Sequence, residues 1–553
     1  MSRSIPFARS IAALGCGTFL AGAASAQSTL YDVPGNATNE RLGKSIAVVG
    51  DLTSDGASEF LVGIPEDGNV LFAGEGAAAL INGANGAVIT TWDGDVNGDG
   101  FGTAVASGED VDGDGINDFV VSAPFHTNVF QADGQVRVLS GADNSEIVEV
   151  YGDSSLQRIG RTLALVGDLN GDGRSEFMAG SHTALNDRGM VRVYTFNGSN
   201  ATVLYEFQGS ASGSRLGFSI DSMQDINADN VPDLLVGSAF DGYYIFSGAD
   251  GSELRHTTSG SEPTLGTAVE SIADITGDGV MDLAISAIQT SVFNPGPGRV
   301  YVKNGANDAT LFTIDGANAG DEFGLQVADA GDWNGDGTTD LLISSDPSGS
   351  GAFVGIHSGT GGTLLATLTA DNPNDKLGAS IAGLGDLNGD GAVEVVAGAP
   401  DASAGFLKEG LVRVYSSPFA GCGQVTPYCN NAVANSTGVA ADITPIGSTS
   451  VAAGQMILQA TNLPPNGFGL FFYGTAQTST MAGDGLICVA GSTVRLGVTQ
   501  AQGGSVLKSL FSDPNSASIS GGSTFNFQYW YRDITGGPAG FNFSRAVQIG
   551  FCD

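Results

Sequence analysis

Asp168-Leu-Asn170-Gly-Asp172-Gly-Arg174-Ser-Glu176 decides the reading of this chain, because the same oxygen-rich nonapeptide returns six more times. The other copies begin at Asp51, Asp110, Asp225, Asp274, Asp332 and Asp386, so successive starts lie 59, 58, 57, 49, 58 and 54 residues apart. A period of that length is the mark of a propeller or another repeat architecture.

Positions 1, 3, 5 and 9 of each copy offer side-chain oxygens and position 7 a backbone carbonyl, a donor set suited to a hard cation such as Ca²⁺. The first loop supplies Asp51, Thr53, Asp55, Ala57 and Glu59, and the second Asp110, Asp112, Asp114, Ile116 and Asp118. The third has Asp168, Asn170, Asp172, Arg174 and Glu176, and the fourth Asp225, Asn227, Asp229, Val231 and Asp233. Asp274, Thr276, Asp278, Val280 and Asp282 form the fifth, and Asp332, Asn334, Asp336, Thr338 and Asp340 the sixth. The seventh is Asp386, Asn388, Asp390, Ala392 and Glu394. Position 6 is Gly in six copies and Asn230 in the fourth, the residue types that accept a left-handed backbone at least cost. Helical calcium loops carry a bidentate carboxylate at position 12, whereas here that position is apolar, as at Val62, Val121 and Ile343, which excludes EF-hand and dockerin readings. Apolar runs such as Phe119-Val-Val121 and Leu341-Leu-Ile343 follow position 9, so each loop joins two strands. One such loop is as readily a metal-free Asx hairpin; seven in phase favour up to seven calcium sites. Asp95-Val-Asn97-Gly-Asp99-Gly100 lies out of phase, with Thr103 at its ninth position, and reads as a polar connection.

The flanks repeat as well. An apolar-Gly pair opens the first strand of every unit, at Leu42-Gly43, Phe101-Gly102, Ile159-Gly160, Leu216-Gly217, Leu265-Gly266, Phe323-Gly324 and Leu377-Gly378, and the second strand ends in Gly63-Ile-Pro65, Ser122-Ala-Pro124 or Gly398-Ala-Pro400. These residues resemble the FG-GAP repeats of the integrin α-subunit head across residues 28–420. The resemblance implies an all-β, seven-bladed β-propeller with Ca²⁺ in its loops and a ligand-binding face. Third strands such as Gln135-Val-Arg-Val-Leu139 and Leu411-Val-Arg-Val-Tyr415 alternate as half-buried strands do. After Tyr415 no fourth strand follows, while Ser28-Thr-Leu-Tyr-Asp-Val-Pro-Gly35 aligns with the fourth strand at 309–316 without a gap; the N-terminal segment is therefore expected to complete blade seven.

Residues 1–26 have the basic, apolar and small-residue regions of a secretory signal, so the chain is expected to be exported and extracellular. No later stretch approaches the roughly 20 apolar residues a membrane helix needs. The net charge of −38 excludes nucleic acid as a natural partner, and much of it sits in the loops, where seven divalent ions would offset 14 charges. Residues 421–553 shift toward Gly, Ser, Thr and aromatic strands and are expected to form a small β-sandwich. That part resembles a C-terminal all-β module of secreted bacterial repeat proteins. Its aromatic runs read as core rather than as a carbohydrate site. Cys422, Cys429, Cys488 and Cys552 favour two disulfides with three possible connectivities.

Four histidines in four different blades give no acid-base team, and Gly43-Lys-Ser45, Gly217-Phe-Ser219 and Gly378-Ala-Ser380 lack the last glycine of a nucleophile elbow. The sequence therefore indicates a binding or adhesion module for a protein or glycan, not an enzyme, with a propeller lyase or hydrolase, or a lectin, as the alternatives. Connections alternate between the two faces of a blade, so the long ones between second and third strands lie opposite the acidic loops. Phe72, Phe125, Phe130, Phe293 and Phe406 lie on them and mark a candidate ligand face.

Overall fold

The computed structural model describes residues 28–65, 74–260, 262–288, 296–346, 351–389, 391–417, 425–429, 432–446, 451, 456–520 and 523–551. The expected leader, the boundary at 420 and 421, Phe72, Phe293, Asp390, Cys422 and Cys552 lie outside the described residues.

Seven four-stranded antiparallel sheets account for residues 28–416. Blade two shows the plan: an inner strand Val105–Ser107, a second Phe119–Ala123, a third Gln135–Leu139 and an outer Glu146–Tyr151. Blades one and three to six repeat it over 45–93, 162–208, 216–257, 265–315 and 327–369. The inner strands touch one another in cyclic order, blade seven against blade one included, so the ring is closed around a central channel. The second strands are buried along their whole length because each lies between two neighbouring blades, which is why their sequences are continuous apolar runs and do not alternate. The core is thus divided into layers between blades. Val120, Val136 and Val138 of blade two, for example, pack with Leu165, Phe177 and Tyr194 of blade three.

Third strands are more buried than their alternation implies. Arg192 is only 8% exposed, and it holds Glu206 of its own outer strand at 2.8 Å and Asp153 on the connection from blade two at 2.7 Å. Arg137 does the same with Glu146 and Asp95, and Arg413 with Asp32 and Asp371. A buried guanidinium with two carboxylates ties each of these blades to the one before it.

Near the channel four of the blades are joined to the next by a hydroxyl. The hydroxyls of Ser45, Thr162, Ser219 and Ser380 donate at 2.8–3.2 Å to the carbonyl of the next blade's apolar-Gly glycine, the last of these bonds closing blade seven onto Gly43. In those blades the facing second-strand residue is Gly63, Gly180, Gly237 or Gly398, where a Cβ would fall 2.2–2.5 Å from the hydroxyl oxygen. Blades two, five and six exchange the two positions: Ala104, Ala268 and Gln326 take the place of the inner hydroxyl residue, and Ser122, Ser286 and Ser344 in the second strand accept their backbone N–H groups within the same blade. The serines that resemble nucleophile elbows are these joints. The glycine of the pair is needed for close approach: Gly102 has φ +87°, and a Cβ there would lie 2.1 Å from the carbonyl oxygen of Ala77 in blade one. In blades four and five the pair starts the inner strand, as expected; in the others it lies just ahead of it.

Blade seven has Ser28–Pro34 as its outer strand, antiparallel to Leu411–Ser416, with Asp32 opposite Arg413 and Val33 opposite Val412. Its Tyr31 hydroxyl donates to Gly83 in the outer turn of blade one. Trp92 and Tyr205 reach the corresponding turns of blades two and four in the same way, so the N-terminal strand makes the contacts of an internal one.

Beyond the ring, a five-stranded sheet has the order Val425–Tyr428, Phe541–Gly550, Thr524–Arg532, Phe468–Gly474, Val494–Gln500. A three-stranded sheet of Asp442–Ile446, Ile457–Thr461 and Val506–Ser509 shares one core with it. Phe471, Tyr473, Phe527, Tyr529 and Tyr531 fill that core, so the aromatic alternation is packing. Cys429 and Cys488 form a disulfide with Cα atoms 6.2 Å apart.

Candidate metal centres and the opposite face

All seven acidic loops connect an inner strand to a second strand and share one hydrogen-bonding scheme. In loop two, Asp110 accepts the N–H groups of Gly113 at 2.7 Å and Asp114 at 3.2 Å on one oxygen, and that of Gly115 at 2.7 Å on the other. The N–H at position 6 reaches the position-1 carboxylate in every loop, from Gly56 to Gly391. Position 6 has positive φ throughout, +88° at Gly115 and +67° at Asn230, which accounts for the residue choice.

The ninth-position carboxylates, Glu59, Asp118, Glu176, Asp233, Asp282, Asp340 and Glu394, are all completely buried. One oxygen generally receives the N–H of position 2, as from Val111 to Asp118 at 2.8 Å. The other, where the residue is Asp, receives the glycine N–H after the third strand, as from Gly141, Gly248, Gly305 and Gly359. Glutamate, one methylene longer, turns instead to the side chain at position 3: Thr53, Asn170 and Asn388 donate to Glu59, Glu176 and Glu394.

Burial pushes Asp118 up to about 6 and Asp340 up to about 8, and raises Glu176, Asp233 and Asp282 as well. Buried anions beside other anions, with oxygen donors only, make a site that a hard divalent cation fits. Three carboxylates come within 4.8 Å of one another in two loops, Asp51 with Asp55 and Glu59, and Asp110 with Asp112 and Asp118. Asp114 stays outside the second group, its oxygen taken up by the N–H of Ile116. Among the described residues the other five loops keep the backbone scheme without such a convergence. Arg174, at position 7 of loop three, donates from Nε to the carbonyl of Asp112 at 2.9 Å and so ties neighbouring loops together.

Two participants were not read from the sequence. Asn82 donates to Asp55 at 2.7 Å and Glu59 at 3.1 Å, and Asn304 to Asp278 at 2.5 Å and Thr276 at 3.1 Å. Both precede the glycine that follows a third strand. The signal was available: at this register position only the blades whose loop has Thr at position 3 carry Asn, where Ser140, Thr195, Ser247 and Ser358 stand in others. Asp95–Gly100 is a connection, as read; Asp99 caps it by accepting the N–H groups of Val96 and Phe101.

The opposite face carries Phe125, Phe130 and Phe406, exposed by 39%, 40% and 51%. Phe130 and Phe406 stand at the tips of equivalent loops. Asp133 accepts the N–H groups of Asn128, Val129 and Phe130, and Glu409 those of Ala404, Gly405 and Phe406, so each tip is braced by a carboxylate three residues on.

These features define a seven-bladed β-propeller with an acidic loop in every blade. The FG-GAP repeat family matches residues 101–139, blade two from its apolar-Gly pair to the end of its third strand. Integrin alpha-PS2 of Drosophila melanogaster is 30% identical over 222 residues, covering 36% of this chain and 15% of its own. Integrin alpha-8 of Mus musculus is 32% identical over 221 residues, and integrin alpha-V of Gallus gallus 28% over 211, covering 37% and 36% of this chain and 20% of each relative. The chain thus spans a fifth or less of the length of these relatives. It carries an FG-GAP repeat and is similar to integrin α subunits over about a third of its length.

Proposed function

We propose that this chain is an exported, calcium-stabilised binding or adhesion module, with a propeller over 28–420 and an all-β unit over 421–553, that takes its ligand on the face opposite the acidic loops. The observation that carries this reading is the segregation of the faces. Cation-type loops with one shared scheme occupy one side, and braced loops with exposed aromatic tips the other. Likeness to integrin α subunits, whose family works in adhesion, supports the same class.

Three of the four histidines have local partners, in keeping with a non-enzymatic role. His126 pairs with Asp99, His256 meets the carbonyl of Asp241, and His357 that of Gly362, each within its own neighbourhood. No helix among the described residues is long and apolar enough to cross a membrane. The test is a panel of extracellular proteins and glycans screened with and without calcium. Calcium-dependent binding that is lost when Phe130 and Phe406 become Ser supports the assignment; binding that survives both substitutions removes it.

A further inference from the structure

The central channel is polarised. At the end nearer the acidic loops it is lined by Asp221, Glu270 and Asp329. At the other end it opens into a cavity of about 400 Å³ lined by Lys44 of blade one, Arg161 and His182 of blade three and Phe218 of blade four, with Glu270 shared between the two ends. In a chain of net charge −38 with only 21 lysines and arginines, cations gathered at one mouth and not ion-paired need an explanation. Among the described residues neither Lys44, Arg158 nor Arg161 has a carboxylate within ion-pair distance, although Arg137, Arg192 and Arg413 each have two. The Nε atoms of Arg158 and Arg161 and Nδ1 of His182 are buried without a hydrogen-bond partner.

What holds the two guanidiniums is an aromatic ring. Arg158 and Arg161 lie over Phe125 with their Cζ atoms 5.5 and 5.4 Å from its centre. A cation–π contact fixes a guanidinium plane while leaving its N–H groups to other acceptors. Phe125 therefore orients donors, and Phe218 does the same for His182, whose ring is 4.8 Å away.

We propose that this mouth receives a carboxylate side chain of a protein partner, held by Lys44 and Arg161 and oriented through Phe125. The inference rests on the binding-face reading above and names its chemistry. Burial, and after it neighbouring cations, lower the pKa of Lys44 and Arg161 and hold His182 down at about 4, against the opposing pull of Asp401 on Lys44 and of Asp187 on His182. An entering anion would relieve that repulsion, and a carboxylate matches the fork of an arginine. A cavity of this size admits one side chain, not a folded domain. Val129 and Leu407, exposed by 74% and 64% beside Phe130 and Phe406, give the surrounding loops an apolar character that suits a protein surface better than a polysaccharide, whose hydroxyls need polar partners.

The test uses the full chain in saturating calcium with fluorescent hexaglutamate, hexalysine and an oligogalacturonate as probes, read by anisotropy at 20 and 200 mM salt. Hexaglutamate should bind, hexalysine should not, and the higher salt should weaken binding. Lys44→Gln with Arg161→Gln should weaken it at least tenfold while leaving the melting temperature unchanged or higher, because unpaired cations are removed. Loss in Phe130→Ser/Phe406→Ser with full binding in the charge variant keeps the face but overturns the mouth. Loss in Arg174→Gln, on the acidic-loop side, overturns the face itself. Tighter binding of oligogalacturonate than of hexaglutamate replaces the protein partner by an acidic polysaccharide, and no binding of either anion overturns the proposal.

Discussion

At the scale of single residues, the blades are fitted to one another by choices that a repeat alignment shows only as variation. The exchange of Ser and Gly between the inner and second strands is one. Ser380→Ala should cost about 1 kcal/mol, the ordinary net value of a buried hydrogen bond. Gly398→Ser should cost more, because its Cβ would fall 2.5 Å from the Ser380 hydroxyl and 2.0 Å from the Gly43 carbonyl. The double variant recreates the arrangement of blades two, five and six and should be more stable than the sum of the singles, which a cycle of denaturant melts would show; strict additivity would refute the pairing. The channel carboxylates give a second prediction. Burial, and then Asp221 and Asp329, raise the pKa of Glu270 well above the ordinary range, and burial pushes Asp221 up to about 6 while it accepts the backbone and hydroxyl of Ser271. A carboxyl whose folded pKa is raised destabilises the fold when ionised, fully above the folded pKa, and the cost is relieved as pH falls through it. Glu270→Gln should therefore raise the melting temperature at about pH 7.5, with the gain shrinking as pH falls toward the ordinary carboxylate range. A gain constant over that range would contradict the channel electrostatics. Little of this was read beforehand, although Asp221 and Glu270 each stand four residues ahead of their loops at Asp225 and Asp274, and Asp329 three ahead of Asp332; the repeat puts them at like positions, and they meet because inner strands of successive blades face one axis.

At the scale of elements, the acidic loop, the flanking strands and the missing fourth strand were all legible, because each is local: a turn at position 6, an apolar run, a gapless match between 28–35 and 309–316. The burial of the third strands was not, since it depends on arginines whose partners lie 39 to 42 residues away on the connection from the preceding blade. The ring closure makes the N-terminal strand more important than its length suggests. Arg413→Ala removes its contacts to Asp32 and Asp371, partly exposed groups, and should cost about 1 kcal/mol. Removal of residues 28–34 also exposes Leu411–Ser416 as an unpaired edge and opens the layer of Val33, Phe60 and Val412. Its loss of stability should be several times that of Arg413→Ala, with aggregation detectable by light scattering. A truncated chain that stays monomeric and melts with the parent would show that the seventh blade closes without it.

At the scale of the whole molecule, the two faces should answer differently to calcium and to mutation. Extracellular calcium modules have dissociation constants of about 10⁻⁴ to 10⁻³ M, and free ion at 100 times that constant adds roughly 2.7 kcal/mol per independent site. Excess chelator should therefore lower the melting temperature, and elemental analysis of the calcium-loaded protein should count the occupied loops. Asp112→Ala with Asp114→Ala removes one of the converging carboxylates and its neighbour in loop two, so stability in calcium should fall by an amount comparable to one site, while chelation then costs the variant less than it costs the parent. Phe125→Ser with Phe130→Ser changes side chains exposed by about 40% on the opposite face, so its melting temperature and calcium response should match the parent's while capture of an anionic probe declines. The two sets of variants are separated by the whole length of the inner strands, and residues that far apart without shared partners add independently. A quadruple variant should accordingly show both losses in full. Coupling between them, read as a calcium response altered by the Phe substitutions, would mean that the loops of one face set the conformation of the other, and the division into a supporting face and a binding face would have to be given up.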